Sequence, residues 1–421
     1  MSLEVFDSWE SEVRSYVRSF PVVFDAARGS TLFGEDGQEY IDFFAGAGTL
    51  NYGHNNPLLK RALLDYIDRD GIVHGLDMAT SAKRDFIDSF VNLILIPREL
   101  RYKLQFTGPT GANATEAAMK VARLATGRTN VIAFSHGYHG LSLGALAATA
   151  SRKFRSSAGV ALDGVTFAPF EGYFGADVDT IAMLEKMLDD PSSGLDLPAA
   201  FIVETIQGEG GVNVASVEWL RRLADLAAQR HIVLIVDDIQ AGCGRSGDFF
   251  SFEESDLSPD VVILSKSLSG FGLPMSLVLI KPELDVWEPG GHTGTFRGNN
   301  LAFVGATAAL RNYWTDDAFS SEIKRKGALL RGRLDEIVAR HPGELESRGR
   351  GMMQGVSSRR DPDMASRVSR EAFAHGVIIE TAGGRSEVVK FLPPLTTDDA
   401  TLLAGVAVVE EAIEAQLASV S

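Results

Sequence analysis

Short runs of β-branched and aliphatic residues alternate with helical stretches over roughly residues 100–280. Four runs have the length of buried strands and are far too short to cross a bilayer; they span residues 131–134, 201–203, 232–236 and 261–264. One intervening helix shows an apolar face made of Trp219, Leu220, Leu223 and Leu226. This alternation is typical of sheets whose crossover helices cover both faces, so the sequence predicts an α/β fold with a mostly parallel central sheet.

The charge balance of the chain disfavours anionic partners. Among 421 residues, 40 are basic and 56 acidic, which gives a net charge of −16 and repels nucleic acid and anionic lipid. The first residues are acidic (Glu4, Asp7) and do not form a secretion signal. The single cysteine, Cys243, has no internal disulfide partner. We therefore expect a cytoplasmic protein that binds neither nucleic acid nor membrane.

The order of elements predicts two domains. We expect a large domain over residues 51–310 and a smaller α+β domain assembled from the chain ends, residues 1–50 and 311–421. Near the start, residues 31–33 and 40–43 flank an Asp-Gly turn, which indicates a hairpin. Beyond Arg311 the strand-like runs become sparse. The chain closes with an apolar stripe at helical spacing, formed by Leu402, Val406, Val409 and Ile413.

Polar segments follow each predicted strand. In open α/β sheets, ligands bind beyond the carboxyl ends of the strands, where loops and helix N-termini converge. The segments at these ends are residues 135–140 (SHGYHG), 204–211 (ETIQGEGG), 237–240 (DDIQ) and 265–270 (SKSLSG). The sequence therefore brings a carboxylate, Asp237, and a lysine, Lys266, to one rim of the sheet.

Lys266 and Asp237 together indicate a pyridine cofactor. Taken alone, Lys266 is more often a strand-end lysine with a solvated amine, and Asp237 a turn or cap residue. A lysine desolvated behind an apolar strand, however, has a lowered pKa and offers a neutral amine for Schiff-base chemistry. A pyridine aldehyde needs that lysine at its carbonyl carbon, and an acid that keeps its ring nitrogen protonated.

Two glycine-rich segments suit the phosphate of such a cofactor. Residues 108–116 (GPTGANATE) lead into a helix whose first N–H groups would face the anion. The plainer interpretation is a capped helix with Asn113 and Glu116 as the capping pair. Residues 290–300 (GGHTGTFRGNN) offer hydroxyl and amide donors, and are otherwise an ordinary connection.

Other chemistries fit less well. Residues 242–247 (GCGRSG) match the dinucleotide fingerprint, which makes a nicotinamide-dependent oxidoreductase the rival class. The fingerprint should follow a strand closely and open a helix, but five residues separate it from the strand and aromatic residues follow. His136 and His139 lack the spacing and companions of a metal site.

The sequence resembles the class III aminotransferases, pyridoxal-phosphate enzymes of fold type I, over nearly its whole length. The most specific segments are residues 204–211, 237–245 and 265–275. Within that family, the likeness is greatest to the diaminobutyrate:2-oxoglutarate transaminases of ectoine synthesis, through residues 46–57 (GAGTLNYGHNNP) and 70–78 (DGIVHGLDM). The resemblance implies pyridoxal 5'-phosphate as cofactor and no metal.

The resemblance also implies roles for individual residues around the cofactor. Lys266 would bond to it and then move the proton between substrate and cofactor carbons, while Asp237 would pair with the ring nitrogen. The remaining contacts fall to residues that hold the ring, its oxygen or its phosphate: Gly111, Ala112, Tyr138, Glu204, Ile239, Gln240 and Thr295. Tyr138 and Ile239 would sandwich the ring, and Gln240 would reach its phenolic oxygen. Thr295 would come from a neighbouring subunit, which implies a homodimer or a dimer of dimers.

Some positions depart from the family pattern. Ala112 stands where relatives often place a hydroxyl on the phosphate. Lys390 replaces an arginine, and an ammonium makes no bidentate fork with a carboxylate. Leu141 stands where several relatives carry an arginine for a distal carboxylate, so another cation must take that role or the acceptor differs. Glu209 resembles a gating glutamate that neutralises a carboxylate-binding cation such as Lys390 while an ω-amine is bound.

The predicted reaction transfers an amino group between small molecules. L-Glutamate and L-aspartate 4-semialdehyde would give L-2,4-diaminobutyrate and 2-oxoglutarate. The alternatives within the family are an ornithine, acetylornithine or 4-aminobutyrate type of ω-amino acid transaminase, or an enzyme supplying diaminobutyrate for a siderophore or peptide antibiotic.

Overall fold

The structure is a computed structural model that describes residues 3–418. Its strands are, in chain order, β1 (Phe24–Arg28), β2 (Thr31–Gly34), β3 (Glu39–Asp42), β4 (Lys103–Phe106), β5 (Val131–Phe134), β6 (Val165–Ala168), β7 (Ala200–Val203), β8 (Ile206–Gln207), β9 (Asn213–Val214), β10 (Val233–Asp237), β11 (Val261–Leu264), β12 (Leu277–Ile280), β13 (Leu345–Arg350), β14 (Met353–Ser358), β15 (Val377–Ile378), β16 (Glu380–Ala382) and β17 (Val388–Phe391).

Helices connect and cover these strands. They are α1 (Glu4–Trp9), α2 (Tyr16–Ser19), α3 (Ala45–Gly48), α4 (Pro57–Asp68), α5 (Ser81–Phe90), α6 (Gly111–Thr126), α7 (Leu143–Ala148), α8 (Arg152–Arg155), α9 (Thr180–Asp189), α10 (Val217–Gln229), α11 (Asn300–Tyr313), α12 (Ala318–Arg340), α13 (Met364–Ala374) and α14 (Asp399–Ala418). Within the described residues, no helix combines the length and apolar character needed to span a bilayer.

A seven-stranded sheet forms the centre of the molecule, in the order β4-β12-β11-β10-β7-β5-β6. The five strands β11, β10, β7, β5 and β6 run parallel to one another. The strand β12 pairs antiparallel with β11 on one side and with β4 on the other. The four strands predicted from the sequence are the adjacent strands β11, β10, β7 and β5. The prediction of an α/β fold with a mostly parallel sheet is confirmed.

Alternate residues of the central strands enter two separate cores. Val261 and Ile263 face the side covered by the alanine-rich helix α6, and Val262 and Leu264 face the side covered by α10. Trp219, Leu220, Leu223 and Leu226 are all buried on α10, as predicted. Because each fully buried aliphatic side chain contributes about 1.5–3 kcal/mol relative to an exposed one, these two cores hold the sheet rigidly beneath the strand ends.

The two chain ends meet in smaller sheets beside the central one. The hairpin predicted near the start exists as β2 and β3, and the short strand β15 adds to it in parallel, with Val377 opposite Ile41. A second sheet, in the order β13-β14-β17-β16, comes from the last quarter of the chain. The expectation that strands become sparse beyond Arg311 is wrong for this part of the chain. The smaller sheets take strands from both ends of the chain, and the division into a large and a smaller domain stays a prediction.

Residues 242–247 are buried turns that fasten the two parts of the molecule together. The side chain of Arg245 is fully buried and donates to the carbonyls of Met352 and Pro393 and to the Asn51 amide oxygen. Hydrogen bonds to a charged group contribute about 1.5–3 kcal/mol each. Residues 242–247 do not lead into a helix, which a dinucleotide-binding site needs. Their glycine pattern therefore reflects the buried turns around Arg245 and not a dinucleotide site.

Candidate active site

Asp237 and Lys266 lie at the ends of neighbouring strands. Asp237 is the last residue of β10, and Lys266 follows β11 after a single serine, Ser265. The two strands pair in parallel, with Asp237 opposite Ile263. Parallel strands place their carboxyl ends at the same edge of the sheet, so both side chains start from one rim.

Lys266 has an unusual backbone conformation and a desolvated amine. Its φ is +49°, in the left-handed region that non-glycine residues rarely adopt and that clusters at functional sites. Burial lowers the pKa of Lys266, and the nearby Lys390 lowers it further, while Glu209, Glu380 and Asp237 oppose the shift. A larger share of neutral amine is therefore available near neutral pH than on an exposed lysine.

Asp237 is held by a histidine that the sequence analysis did not assign to it. His139 Nδ1 lies 2.7 Å from Asp237 Oδ2, and both side chains are buried. The other carboxylate oxygen of Asp237 accepts from the backbone N–H of Ile239, at 3.2 Å. Within residues 3–418, no cluster of His, Cys, Asp and Glu has the composition of a metal site. His139 orients a carboxylate instead.

Glu204 anchors the segment that bears Tyr138. Its Oε2 accepts from the backbone N–H of Tyr138 at 2.8 Å, across from the end of β5 to the end of β7. Burial raises the pKa of Glu204 well above its usual value, and the charge of Asp237 adds to the rise. Glu204 thus fixes the position of Tyr138 while adding little negative charge to the site.

The first turn of α6 approaches Ile239 closely. A Cβ on Gly111 would lie 2.8 Å from Ile239 Cδ1, so a larger residue there would force the Ile239 side chain to shift. The capping pair is Thr110 with Asn113, and the interpretation that pairs Asn113 with Glu116 is wrong. Glu116 points away to accept from Ser142 Oγ and from the N–H of Gly144.

A buried cation sits between two carboxylates beside these residues. Lys390 is 0% exposed, and its Nζ lies 2.8 Å from both Glu209 Oε1 and Glu380 Oε1. Gln240 Nε2 also donates to Glu209 Oε1, at 3.0 Å, and to the carbonyl of Ala47. The structure thereby links Gln240, Glu209 and Lys390, which the sequence analysis had singled out, and adds Glu380.

The three charges of this cluster adjust one another. Burial alone would raise the pKa of Glu209, but the charge of Lys390, with that of Lys266, lowers this pKa to about 2. Burial raises the pKa of Glu380 to about 7 despite Lys390. Burial would lower the pKa of Lys390, but Glu209 and Glu380 raise it above its usual value. Lys390 is therefore a permanent cation whose charge Glu209 neutralises.

Tyr16 reaches the same cluster from the N-terminal helix α2, although the sequence analysis did not assign it to the site. Its ring packs 4.9 Å from that of Phe44. Burial raises the pKa of its hydroxyl, and the charges of Glu380 and Glu209 raise it further. An N-terminal hydroxyl therefore lies near a cluster whose other members come from the middle and end of the chain.

Thr295 stands apart from these residues within one chain. It is exposed on the segment before α11, as is the neighbouring Phe296. Leu141 is also exposed. Within a single chain, contacts link Glu204 with Tyr138, Gln240 and Lys390 with Glu209, and Gly111 with Ile239, whereas Thr295 lies at the surface.

The residues at the rim fit pyridoxal phosphate. In the described residues, the N–H groups of Gly111 and Ala112 have no hydrogen-bond acceptor, as a phosphate at the start of α6 requires. The amide oxygen of Gln240 is buried without a partner, which a ring hydroxyl would supply. Lys266 offers the amine for the aldehyde, and Asp237 the carboxylate for the ring nitrogen.

Comparisons with known proteins agree with this arrangement. The family model for class III aminotransferases matches residues 13–413. A diaminobutyrate--2-oxoglutarate transaminase of Bordetella parapertussis is 60% identical over 98% of this chain and 95% of its own. A protein of the same name from Halomonas elongata is 54% identical over 97% of this chain and 98% of its own.

Solved structures show the same fold. An ornithine aminotransferase of Toxoplasma gondii superimposes with a TM-score of 0.84 at 27% identity, covering 97% of this chain and 93% of its own. A second structure of that enzyme, described as having partial occupancy of PLP at its active site, gives 0.85, also at 27% identity, with 98% and 93% coverage. The strand-end lysine and aspartate, the glycine-led helix and these matches together place the chain in the class III aminotransferase family.

Proposed function

We propose that this chain is a pyridoxal-phosphate-dependent diaminobutyrate:2-oxoglutarate transaminase. It would transfer an amino group between L-glutamate and L-aspartate 4-semialdehyde, giving L-2,4-diaminobutyrate and 2-oxoglutarate. The observation that carries the chemistry is the placement of Lys266 and Asp237 at neighbouring strand ends. The choice of substrates is supported by relatives of 53–60% identity that bear this enzyme's name over nearly the whole chain.

Each residue of the site has a defined task in this reaction. Bound pyridoxal phosphate supplies an aldehyde carbon for amines and a protonated ring that accepts electron density. Lys266 would take the proton from the substrate carbon and return it to the cofactor carbon, which its lowered pKa favours. Asp237, held by His139, would keep the ring nitrogen protonated. Glu204 fixes Tyr138, which would contact one face of the ring while Ile239 contacts the other.

Different groups would bind the phosphate of the cofactor and the carboxylate of the substrate. Gly111 and Ala112 would donate backbone N–H groups to the phosphate at the start of α6. Lys390 would receive a substrate carboxylate once Glu209 moves away. While an ω-amine is bound, Glu209 would stay on Lys390 and neutralise its charge.

Removal of the Glu209 charge is expected to shift the balance between the two amino donors. In Glu209→Gln only Glu380, whose pKa burial raises to about 7, still pairs with Lys390, so the ammonium is less fully neutralised before the substrate carboxylate arrives. The ratio of kcat/KM for glutamate to that for diaminobutyrate therefore rises about tenfold, which corresponds to ~1.4 kcal/mol. Steady-state kinetics with each donor measures this ratio. The matched control is Glu411→Gln, an exposed glutamate on α14. An unchanged ratio would reject the gate.

Spectral titration of the purified holoenzyme tests the proposed function. We expect diaminobutyrate and glutamate each to bleach the yellow absorbance of the cofactor-loaded protein, and 2-oxoglutarate to restore it. The value of kcat/KM for diaminobutyrate should exceed those for ornithine and 4-aminobutyrate by at least about tenfold. A preference for either of those donors would instead favour another ω-amino acid transaminase. Protein that never turns yellow with added cofactor would reject the whole class.

We also propose a homodimer, or a pair of homodimers, in the cytoplasm of a cell that makes ectoine. Supporting the association, two touching loops expose large apolar side chains, and the His74 and Phe296 rings meet edge to face. The exposed members are Ile72, Val73, Leu76, Met78 and Phe296. Thr295 lies within this surface, from which it would reach the cofactor phosphate of a second copy. Sedimentation of the holoenzyme measures the association.

A further inference from the structure

Arg297 carries a guanidinium without an acidic partner. Its Nη2 donates to the carbonyl of Thr293 at 2.9 Å, while Nε and Nη1 are buried and have no acceptor. Other arginines with such buried N–H groups have partners: ion pairs through another nitrogen at Arg14 and Arg230, three acceptors at Arg245, and a carboxylate 2.9 Å from Nε itself at Arg98. Buried donors without partners require an explanation, and an anion explains these.

The surroundings of Arg297 are basic. His292 and Lys120 lie close by, with Lys120 Nζ 3.1 Å from His292 Nδ1. Burial lowers the pKa of His292 to about 4, and Arg297 and Lys120 contribute to that shift. The nearest carboxylate on α6, Glu116, is engaged by the loop that contains Ser142 and Gly144. Within residues 3–418, no acidic side chain therefore forms an ion pair with Arg297.

The position of Arg297 in the sequence limits where its guanidinium can reach. It lies two residues after Thr295, and two residues of chain span at most about 7 Å. If Thr295 reaches the cofactor phosphate of a second copy, the Arg297 side chain can enter the substrate space beside that phosphate. Release of the single bond to Thr293 would free the guanidinium for this movement.

The proposed substrates require a second cation. Glutamate and 2-oxoglutarate each carry two carboxylates, and Lys390 can receive only one of them. Leu141 offers an exposed apolar side chain. Tyr16, a further polar group near the Lys390 cluster, carries no positive charge. A planar guanidinium without an acidic neighbour matches a carboxylate in geometry and in charge.

We propose that Arg297, delivered across the subunit interface, is the specificity-determining residue that binds the second carboxylate of glutamate and 2-oxoglutarate. This inference rests on the proposed function for its choice of substrate and on the proposed dimer for its geometry. It explains why a glycine-rich loop buries two donors for which the described part of the chain supplies no acceptor.

Acceptor selectivity tests the role of Arg297. With the amino donor fixed, KM is measured for 2-oxoglutarate, which has two carboxylates, and for 2-oxobutyrate, which has one. In Arg297→Gln the KM for 2-oxoglutarate should rise at least tenfold, and that for 2-oxobutyrate should change less than about twofold. Arg297→Lys, which keeps the charge but loses the fork, should fall between Arg297→Gln and the wild type. Arg370→Gln, an exposed arginine on α13, is the matched control.

Two outcomes would overturn the proposal. Equal losses for both acceptors, or a loss of the dimer by sedimentation, would show that Arg297 only supports the loop or the interface. Unchanged KM values for both acceptors would show that another group binds the second carboxylate. Because the ratio between acceptors is measured with any donor the enzyme accepts, it stays informative even if diaminobutyrate proves to be the wrong donor.

Discussion

Replacement of Lys266 by alanine is expected to lower kcat for diaminobutyrate and 2-oxoglutarate by at least ~10⁴-fold, because one amine bonds to the cofactor and also moves the proton. Burial lowers the pKa of the Lys266 amine. The nearby Lys390 cannot replace this amine, because it is held in ion pairs with Glu209 and Glu380. Single-turnover measurements on cofactor-saturated protein provide the rate. The yellow colour that hydroxylamine bleaches in the wild type should also be lost.

Lys186→Ala provides the control for this change. Lys186 is exposed on α9, and its removal should leave kcat and colour unaltered. If Lys266→Ala kept kcat within tenfold of the wild type, the covalent role would belong to another residue. A protein that is colourless in the wild type but oxidises or reduces a nicotinamide would restore the dinucleotide hypothesis drawn from residues 242–247.

Asp237→Asn is expected to reduce kcat by about 10²–10³-fold, with cofactor still bound. Asparagine keeps the shape of the side chain but cannot supply the negative charge that holds a proton on the ring nitrogen, and this charge acts where electron density accumulates in the transition state. The contact with His139, at 2.7 Å, fixes that carboxylate and would persist in altered form. Stopped-flow kinetics of the half-reaction with glutamate measures the loss.

Two further variants sharpen the test of Asp237. Asp225→Asn, on the exposed face of α10, should behave as the wild type. His139→Asn should cost less than Asp237→Asn, since it loosens the carboxylate without removing its charge. A kcat for Asp237→Asn within threefold of the wild type would contradict the assigned role, provided that bound cofactor is confirmed by absorbance.

The centre of the fold was accessible from the sequence because its strands are continuous apolar runs. Residues 131–134 and 261–264 are strands with the predicted bounds. The strand predicted over residues 232–236 is β10, which extends to Asp237, a residue expected to lie just beyond it. The edge strand β4 and its neighbour β12 were not predicted. β13 and β14 read LESRGR and MQGVSS, and neither contains a β-branched run. Their strand form comes from pairing with neighbours, which composition does not reveal.

The site was predictable where chemistry concentrates on strand ends, and less so where it depends on tertiary contacts. Lys266 and Asp237 follow from their positions after apolar runs. Glu380 does not, because its importance comes from lying directly across the sheet from Lys390. Likewise Tyr16 belongs to the site only through the folding of the N-terminal helix against it. His139 lies within residues 135–140, a strand-end segment that the sequence had already indicated. A search of such segments for a partner of Asp237 could therefore have found it.

The pairing of β3 with β15 has a consequence for synthesis on the ribosome. The strand that contains Ile41 gains its parallel neighbour only after Val377 has been synthesised. Lys390 is synthesised later still. Contacts this distant in sequence slow folding and leave intermediates exposed. In a nascent chain halted before Val377, the edge of β3 would be unpaired and could pair with other copies, which promotes aggregation. The cluster around Lys390 is therefore completed only after Glu380 and Lys390 have both been synthesised.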